Sequence, residues 1–312
     1  MEKIKIDYVV VAGVEMPIRS SAPNGRTGDS EAVVFVHGNP GSGEDWATFI
    51  PQVGEFSRVI APDMPGYGNA DRPKDFDYTI EGYARHLALV LEQLDINKAH
   101  LVLHDFGGCW GLQFANDHPE RVASVTMFNI GATPGYRWHK YALIYRIPIL
   151  GELFQFFATR WAFRTLLNLD NPKPFPVEFT DRMFDHSDWG MSRGMLKLYR
   201  ATPDIGKKSV ELVGILKERS IPALVLWGEG DKYLPVSYAS KQKDFYDVEV
   251  HTLPGCGHWP MIDEPELVVG LLIPFLQRQR GGDVVSDVVS DVVSDVVSED
   301  DSLTEDRSVE TA

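Results

Sequence analysis

The chain has 312 residues with a formal net charge of −15, and 44% of its residues are hydrophobic. This length and balance are typical of a folded globular protein and exclude a largely disordered chain. Residues 281–312 hold ten acids and one base, and the excess of acids argues against nucleic acid or an anionic membrane as a partner.

The sequence also predicts a cytoplasmic location. No apolar run reaches the length of a membrane span, and the first residues, MEKIKIDYVVVAG, lack the long apolar stretch and cleavage site of a signal peptide. The two cysteines, Cys109 and Cys256, are too few for a disulfide framework and lack the spacing of a metal site. We therefore expect a reduced protein without a metal.

Short apolar runs rich in Val, Ile and Leu recur along the chain, and each ends near Gly, Asp or Pro. After an antiparallel pair in the first twenty residues, they predict strands at 32–38, 58–63, 99–104, 121–130, 221–227 and 248–253. Helical patterns at 44–53, 79–95 and 107–118 lie between strands, and a last helix at 264–279 is expected to be interrupted by Pro274. This alternation predicts a parallel sheet with right-handed crossovers.

Two segments depart from this alternation of strands and helices. Residues 132–215 have many aromatic residues, scattered Pro and no convincing strand, which predicts a mainly helical insertion, because so many aromatic side chains need something to cover. Residues 283–298 repeat DVVS four times, which predicts a disordered low-complexity tail over 281–312, with a frayed helix as the alternative. The predicted core therefore comprises 1–131 and 216–280.

Three residues suited to catalysis follow predicted strands, in the order Asp105, Asp231 and His258. Taken singly, Asp105 could be an N-cap of the next helix, Asp231 a turn residue and His258 a loop histidine. Ligands of open parallel sheets bind beyond the carboxyl ends of the strands, where all three are expected to lie. Their common location favours a catalytic set.

Residues 4–280 resemble the α/β-hydrolase superfamily. The nucleophile elbow of that family reads small-x-nucleophile-x-Gly, and here the segment His104-Asp105-Phe106-Gly107-Gly108 places Asp at the nucleophile position. HGNP at 37–40, DMPGYG at 63–68 and GEGDKYLP at 228–235 match as well. The resemblance implies a mostly parallel, eight-stranded sheet flanked by helices, with residues 132–215 as a helical cap.

Asp at the elbow narrows the resemblance to epoxide hydrolases and to haloalkane and fluoroacetate dehalogenases. It implies that Asp105 forms an alkyl ester, that His258 then activates water, and that Asp231 orients His258. The backbone N–H groups of Asn39 and Phe106 would stabilise the oxyanion of the second step. No cofactor is implied, and water is the cosubstrate.

The resemblance implies epoxide hydrolysis to a diol as the first choice. Two cap tyrosines would then donate to the opening epoxide: LKLYRAT (196–202) points to Tyr199, and the second is expected to be Tyr141, with Tyr145 and Tyr136 left open. We also expect the cap residues Trp189, Trp138 and Tyr145 to contact a small hydrophobic substrate.

Haloalkane dehalogenation is the alternative. Asn39 matches the halide-binding Asn of many dehalogenases, and Trp189 or Trp138 could donate an indole N–H. Phe106 counts against it, because it lacks the donor that a tryptophan at that position would supply. A ligand-binding protein with an inactive triad is the alternative of another class, and the oligomeric state stays open.

Overall fold

The fold was analysed in a computed structural model that describes residues 3–25, 28–244 and 248–281. Apart from Gly281, the predicted acidic tail lies outside the described residues. Eight strands form one sheet: β1 (Lys5–Val11), β2 (Val14–Ser21), β3 (Glu31–Val36), β4 (Arg58–Pro62), β5 (Lys98–Asp105), β6 (Val122–Ile130), β7 (Ala223–Gly228) and β8 (Glu249–Leu253).

The sheet order is β1-β2-β4-β3-β5-β6-β7-β8. β2 pairs antiparallel with β1 and β4, and every other neighbouring pair is parallel. The predicted α/β fold with a mostly parallel eight-stranded sheet is confirmed. Parallel strands are buried on both faces, which is why each was visible as a continuous apolar run.

Helices cover both faces of this sheet. The described helices are α1 (Ile50–Val53), α2 (Ile80–Gln93), α3 (Phe106–Asp117), α4 (Lys140–Arg146), α5 (Leu150–Phe156), α6 (Arg160–Leu169), α7 (Val177–His186), α8 (Trp189–Ala201), α9 (Ile205–Glu218), α10 (Ser237–Lys241), α11 (Pro260–Asp263) and α12 (Pro265–Gln279). Short 3-10 turns occur at Pro23–Gly25, Gly43–Trp46, Pro119–Arg121 and Gln242–Asp244. Alternate side chains of β3 enter opposite apolar layers: Val34 and Val36 one, Val33 and Phe35 the other.

Two helix predictions need correction, and both involve proline. The predicted helix at 44–53 is a 3-10 turn followed by the separate α1, because Pro51 begins a helix more readily than it continues one. The prediction that Pro274 interrupts the last helix is wrong, since α12 continues through it. Pro274, Phe275 and Leu276 are buried, and their packing offsets the cost of about 3 kcal/mol for an interior proline.

The chain between β6 and β7 is helical throughout its regular elements, α4 to α9. α9 packs against α3 in the core, where Asn116 Nδ2 donates to the carbonyl of Leu212. Helix α7 is tied to the core differently, through Arg182, whose guanidinium lies 2.7 Å from Asp45 Oδ1. We therefore propose that the cap comprises residues 132–204 and that α9 belongs to the core.

Candidate active site

Asp105 lies at the sharp turn from β5 into α3. Its backbone has φ 50° and ψ −121°, a strained conformation for a residue other than glycine, and its side chain makes no capping hydrogen bond to α3. The carboxylate therefore does not serve as an N-cap.

The turn demands close backbone approach. A Cβ on Gly107 would lie 2.5 Å from the carbonyl oxygens of Val36 and His37, and a Cβ on Gly38 would lie 2.5 Å from Asp105 Cβ. These two glycines let the HGNP loop and the start of α3 meet, which holds Asp105 at the carboxyl end of the sheet.

The structure brings Asp105, Asp231 and His258 together. His258 Nδ1 lies 2.7 Å from Asp231 Oδ2, and His258 Nε2 lies 3.5 Å from Asp105 Oδ2. The three residues come from the ends of β5, β7 and β8, as expected for one edge of a parallel sheet. One imidazole thus connects two carboxylates.

Asp231 is fixed by four donors. Its Oδ2 accepts from His258 Nδ1 and from Asn129 Nδ2, each at 2.7 Å, and its Oδ1 accepts the backbone N–H groups of Tyr233 and Leu234 at 2.7 and 2.9 Å. These four hydrogen bonds fix the carboxylate in the position from which it orients the imidazole.

The charges of the site are coupled. Burial lowers the pKa of His258, but Asp231 and Asp105 outweigh it and raise that pKa to about 10. Burial would raise the pKa of Asp105, but His258, His104 and the N–H of Asn39 outweigh it and lower that pKa. The site therefore favours the protonated form of His258 and the ionised form of Asp105.

The HGNP loop provides a backbone donor to Asp105. The backbone N–H of Asn39 lies 2.9 Å from Asp105 Oδ1. The Asn39 side chain is buried and lines the same cavity, and neither its Nδ2 nor its Oδ1 has a hydrogen-bond partner among the described residues. Phe106 is the first residue of α3, where backbone N–H groups have no partner within the helix. Both predicted oxyanion residues therefore lie next to the carboxylate.

A cavity of about 550 Å³ lies between Asp105 and helices α4, α5, α6 and α8. Tyr199, Tyr141 and Tyr145 line it, as does His139, which the sequence did not single out. Tyr199 is buried, and its hydroxyl oxygen lies 3.5 Å from His139 Nε2. This volume suits a drug-sized ligand.

In the Tyr199–His139 contact, His139 is the hydrogen-bond donor and the Tyr199 oxygen is the acceptor. His139 Nδ1 accepts the backbone N–H of Ala142 at 3.3 Å, which leaves the proton of the neutral ring on Nε2. Burial lowers the pKa of His139 to about 4, so the ring is neutral at pH 7. Burial, and next the charge of Asp105, raises the pKa of Tyr199. With Nε2–H directed at its oxygen, Tyr199 keeps its own proton available for donation.

Tyr141 and Tyr145 line the cavity, but their hydroxyl groups have other partners than Tyr199. Burial and then the Asp170 carboxylate raise the pKa of Tyr141, whose hydroxyl faces Asp170 and whose ring lies under Lys140 Nζ at 4.7 Å. The Tyr145 hydroxyl faces Gln155. The Tyr141 hydroxyl thus faces Asp170, and the side chain that contacts the Tyr199 hydroxyl is His139; the role of Tyr141 as second donor stays a prediction.

The two predicted tryptophans are displaced from the cavity. Trp138 packs against Phe106, and its Nε1 donates to the carbonyl of Thr202 at 3.2 Å, so its N–H is already used. Trp189 begins α8, is 55% exposed, and does not line the cavity. The structure thus supports neither as a halide donor and neither as a substrate contact in this cavity.

Comparison with known proteins shows the family. The model described as "alpha/beta hydrolase fold" matches residues 31–265. The chain belongs to this family.

Relatives of this α/β-hydrolase carry different activities. A Burkholderia cepacia protein named 2-hydroxy-6-oxo-6-phenylhexa-2,4-dienoate hydrolase is 27% identical over 261 residues, 80% of this chain and 88% of that protein. Epoxide hydrolase 1 of Caenorhabditis elegans is 26% identical over 304 residues, 89% of this chain and 69% of that protein. A haloalkane dehalogenase structure from Bradyrhizobium elkani has a TM-score of 0.76 at 22% identity and covers 89% of this chain and 99% of its own. The comparisons thus show a hydrolase family without fixing the reaction.

Several residues of the site were not predicted from sequence, because the groups that they contact lie far away along the chain. Asn129 lies 102 positions from Asp231, whose carboxylate it binds, and His139 lies 60 positions from Tyr199. His104 Nε2 contacts the carbonyl of His258 at 2.8 Å, and burial lowers the pKa of His104 to about 3. Of these residues only Asn129 could have been singled out from sequence. It is a polar residue near the end of a predicted strand, and the carboxyl ends of the strands face the site.

Proposed function

We propose that this α/β-hydrolase acts on an electrophilic carbon through an alkyl ester on Asp105. The observation that carries the proposal is the position of the Asp105 carboxylate on the strained elbow, 2.9 Å from the N–H of Asn39 and 3.5 Å from His258 Nε2. A carboxylate needs no base to attack a saturated carbon.

In the first step an Asp105 oxygen attacks the substrate carbon, and the carbon–oxygen bond of an epoxide breaks. The resulting alkoxide takes the proton of Tyr199, and the phenolate is reprotonated from solvent in the cavity. Asp105 loses its charge when the ester forms. One of the two carboxylates that raise the pKa of His258 is then gone, and His258 releases the proton that balances the one taken by the alkoxide.

In the second step the neutral His258 takes a proton from water, and the water oxygen attacks the Asp105 carbonyl carbon. The Asn39 N–H, already directed at Oδ1, stabilises the developing oxyanion. The ester bond breaks, the leaving alkoxide takes the proton from His258, and the new carboxyl group reprotonates the imidazole. Epoxide and water give a vicinal diol, and the resting charges return.

Epoxide hydrolysis is favoured over other alkyl transfers because of the Tyr199–His139 contact, which provides an O–H donor for an alkoxide. Tyr199→Phe removes this proton without changing the ring. We expect epoxide turnover to fall about 10²–10³-fold, the range for losing one transition-state donor. Tyr238→Phe, which alters a half-buried tyrosine on α10 that does not line the cavity, is the matched control and should keep full activity. Full activity of Tyr199→Phe on an epoxide would contradict the assignment.

Haloalkane dehalogenation is the second candidate, favoured by the unpartnered Asn39 amide beside Asp105. Its Nδ2 can donate to a leaving halide, which needs no proton. Halide release from chloro- and bromoalkanes without diol formation from epoxides would establish this reaction instead. In that case Asn39→Ala should abolish release and Tyr199→Phe should not.

His258→Gln tests the ester that both reactions share. The variant should accumulate a covalent adduct on the peptide that contains residues 101–111, because the second step lacks its base. Absence of an adduct with any epoxide or haloalkane would favour a ligand-binding protein with an inactive triad.

A further inference from the structure

The cavity has two chemically different ends. One end is formed by the reacting residues and by the polar side chains around them: Asn39, Asp105, His139, Tyr199, Tyr233 and His258. The other end is formed by α5, α6 and the turn between them, with side chains that are almost entirely apolar: Leu150, Leu153, Phe157, Ala158, Ala162 and Leu166. A ligand that fills both ends carries its reactive group at one extremity and an apolar body at the other.

The cavity offers no counter-charge to an anion. No lysine or arginine occurs among the described residues that line it. The imidazolium of His258 is shared by Asp231 and Asp105, so the reacting end carries a net negative charge. Moving a carboxylate from water into this space is costly without a partner. The geometry therefore selects neutral molecules.

The apolar end continues to the protein surface. Leu150, Leu153 and Phe157 line the cavity and are also exposed, which places its mouth between α5 and α6. Around that mouth Phe156 and Trp161 are 72% and 77% exposed. A chain that outgrows the cavity can thus leave through an apolar rim.

We propose that the substrates of this enzyme are neutral molecules with a long apolar chain, held by α5 and α6 with the chain directed to the mouth. The proposal rests on the proposed function for the position of the reactive group at Asp105. The preference for ligands with a long apolar chain is a property of the cavity, so it can be measured by binding alone, without turnover.

Binding of unreactive probes tests the preference directly. Titration calorimetry of the full-length protein with primary alcohols from butanol to nonanol should show a Kd that falls about fourfold per methylene. Each added CH₂ group leaves water and contacts the apolar wall of the cavity. Octanoate at pH 8 should bind at least about tenfold more weakly than octanol, because its charge has no partner. A Kd independent of chain length, or equal binding of octanoate and octanol, would overturn the proposal.

Two variants test where the apolar chain of the ligand lies in the cavity. Ala162→Trp, on α6, fills the apolar end and should weaken nonanol binding at least about tenfold while butanol binding stays within twofold, since only the longer chain reaches α6. Leu89→Trp, at an exposed position of α2 outside the cavity, is the matched control and should change neither Kd. Ala158→Trp serves if Ala162→Trp does not fold. Wild-type binding of nonanol by the folded variants would contradict this route.

Turnover measurements distinguish the proposed substrate class from the proposed reaction. Hydrolysis of 1,2-epoxybutane and 1,2-epoxydecane at equal rates, with flat alcohol binding, would overturn the substrate class and leave the reaction standing. The expected alcohol series without turnover of any epoxide or haloalkane would support the substrate class and overturn the reaction.

Discussion

Replacing Asp231 by Asn should separate the two steps of the reaction. Both carboxylate oxygens accept two donors each, His258 Nδ1 and Asn129 Nδ2 on one and two backbone N–H groups on the other. An amide has one acceptor oxygen and one NH₂ group, so one pair of donors must face the NH₂. If the oxygen stays on the backbone pair, the NH₂ donates to His258 Nδ1 and leaves the ring proton on Nε2, where it cannot accept from water.

The expected magnitude differs between the steps. Ester hydrolysis should fall about 10⁴-fold, the effect of the same substitution in a Ser-His-Asp triad. Ester formation should change little, because the Asp105 carboxylate attacks without a base. The unsatisfied buried donors should also cost about 1–3 kcal/mol of folding free energy.

Rapid quench with enzyme in excess, followed by mass spectrometry, measures both steps as the rise and decay of the alkyl-Asp105 peptide. Asp117→Asn, at an exposed position of α3, is the matched control and should behave as the wild type. Equal slowing of ester formation and hydrolysis by Asp231→Asn, or hydrolysis at the wild-type rate, would refute the role given to Asp231.

Three further results are expected. Ester hydrolysis in single turnover should rise with pH, because His258 acts only when neutral and Asp231, which still contacts it in the ester, raises its pKa. Ester formation should stay level, because the pKa of Asp105 is lowered; a fall of ester hydrolysis with pH would contradict this. His258 should stabilise the fold fully below about pH 6.5 and lose that contribution as pH rises to about 10. The Tm of the wild type should therefore exceed that of His258→Gln by less and less across this range. A difference that grows with pH would count against the ion pairs. Gly107→Ala should lower stability by about 1–3 kcal/mol in urea unfolding, because its Cβ would meet two carbonyl oxygens at 2.5 Å; wild-type stability would show that the elbow can relax.

Much of the sheet could be predicted from sequence because its strands are buried on both faces. Val33 to Val36 are fully buried, so the strand reads as an unbroken apolar run, and the same pattern recurs in β5 and β7. The rule that ligands bind beyond the carboxyl ends of strands then predicted a common location for Asp105, Asp231 and His258.

The cap could not be predicted to the same depth. Its aromatic residues divide between interior and surface, with Tyr199 buried and Trp189 and Phe156 exposed, and no local pattern separates the two groups. The pairing of Tyr199 with His139 depends on how α4 and α8 meet. That contact depends on tertiary packing, which the spacing along the chain does not encode.

The measurement that tests the central claim most directly is a single turnover of the wild-type enzyme in H₂¹⁸O, with enzyme in excess over an epoxide or a haloalkane. If water attacks the carbonyl carbon of an ester, the label enters the Asp105 carboxylate in the 101–111 peptide and the first diol or alcohol is unlabelled. Label in the product and none in Asp105 would mean that water attacks the substrate directly, and would contradict the alkyl-enzyme mechanism.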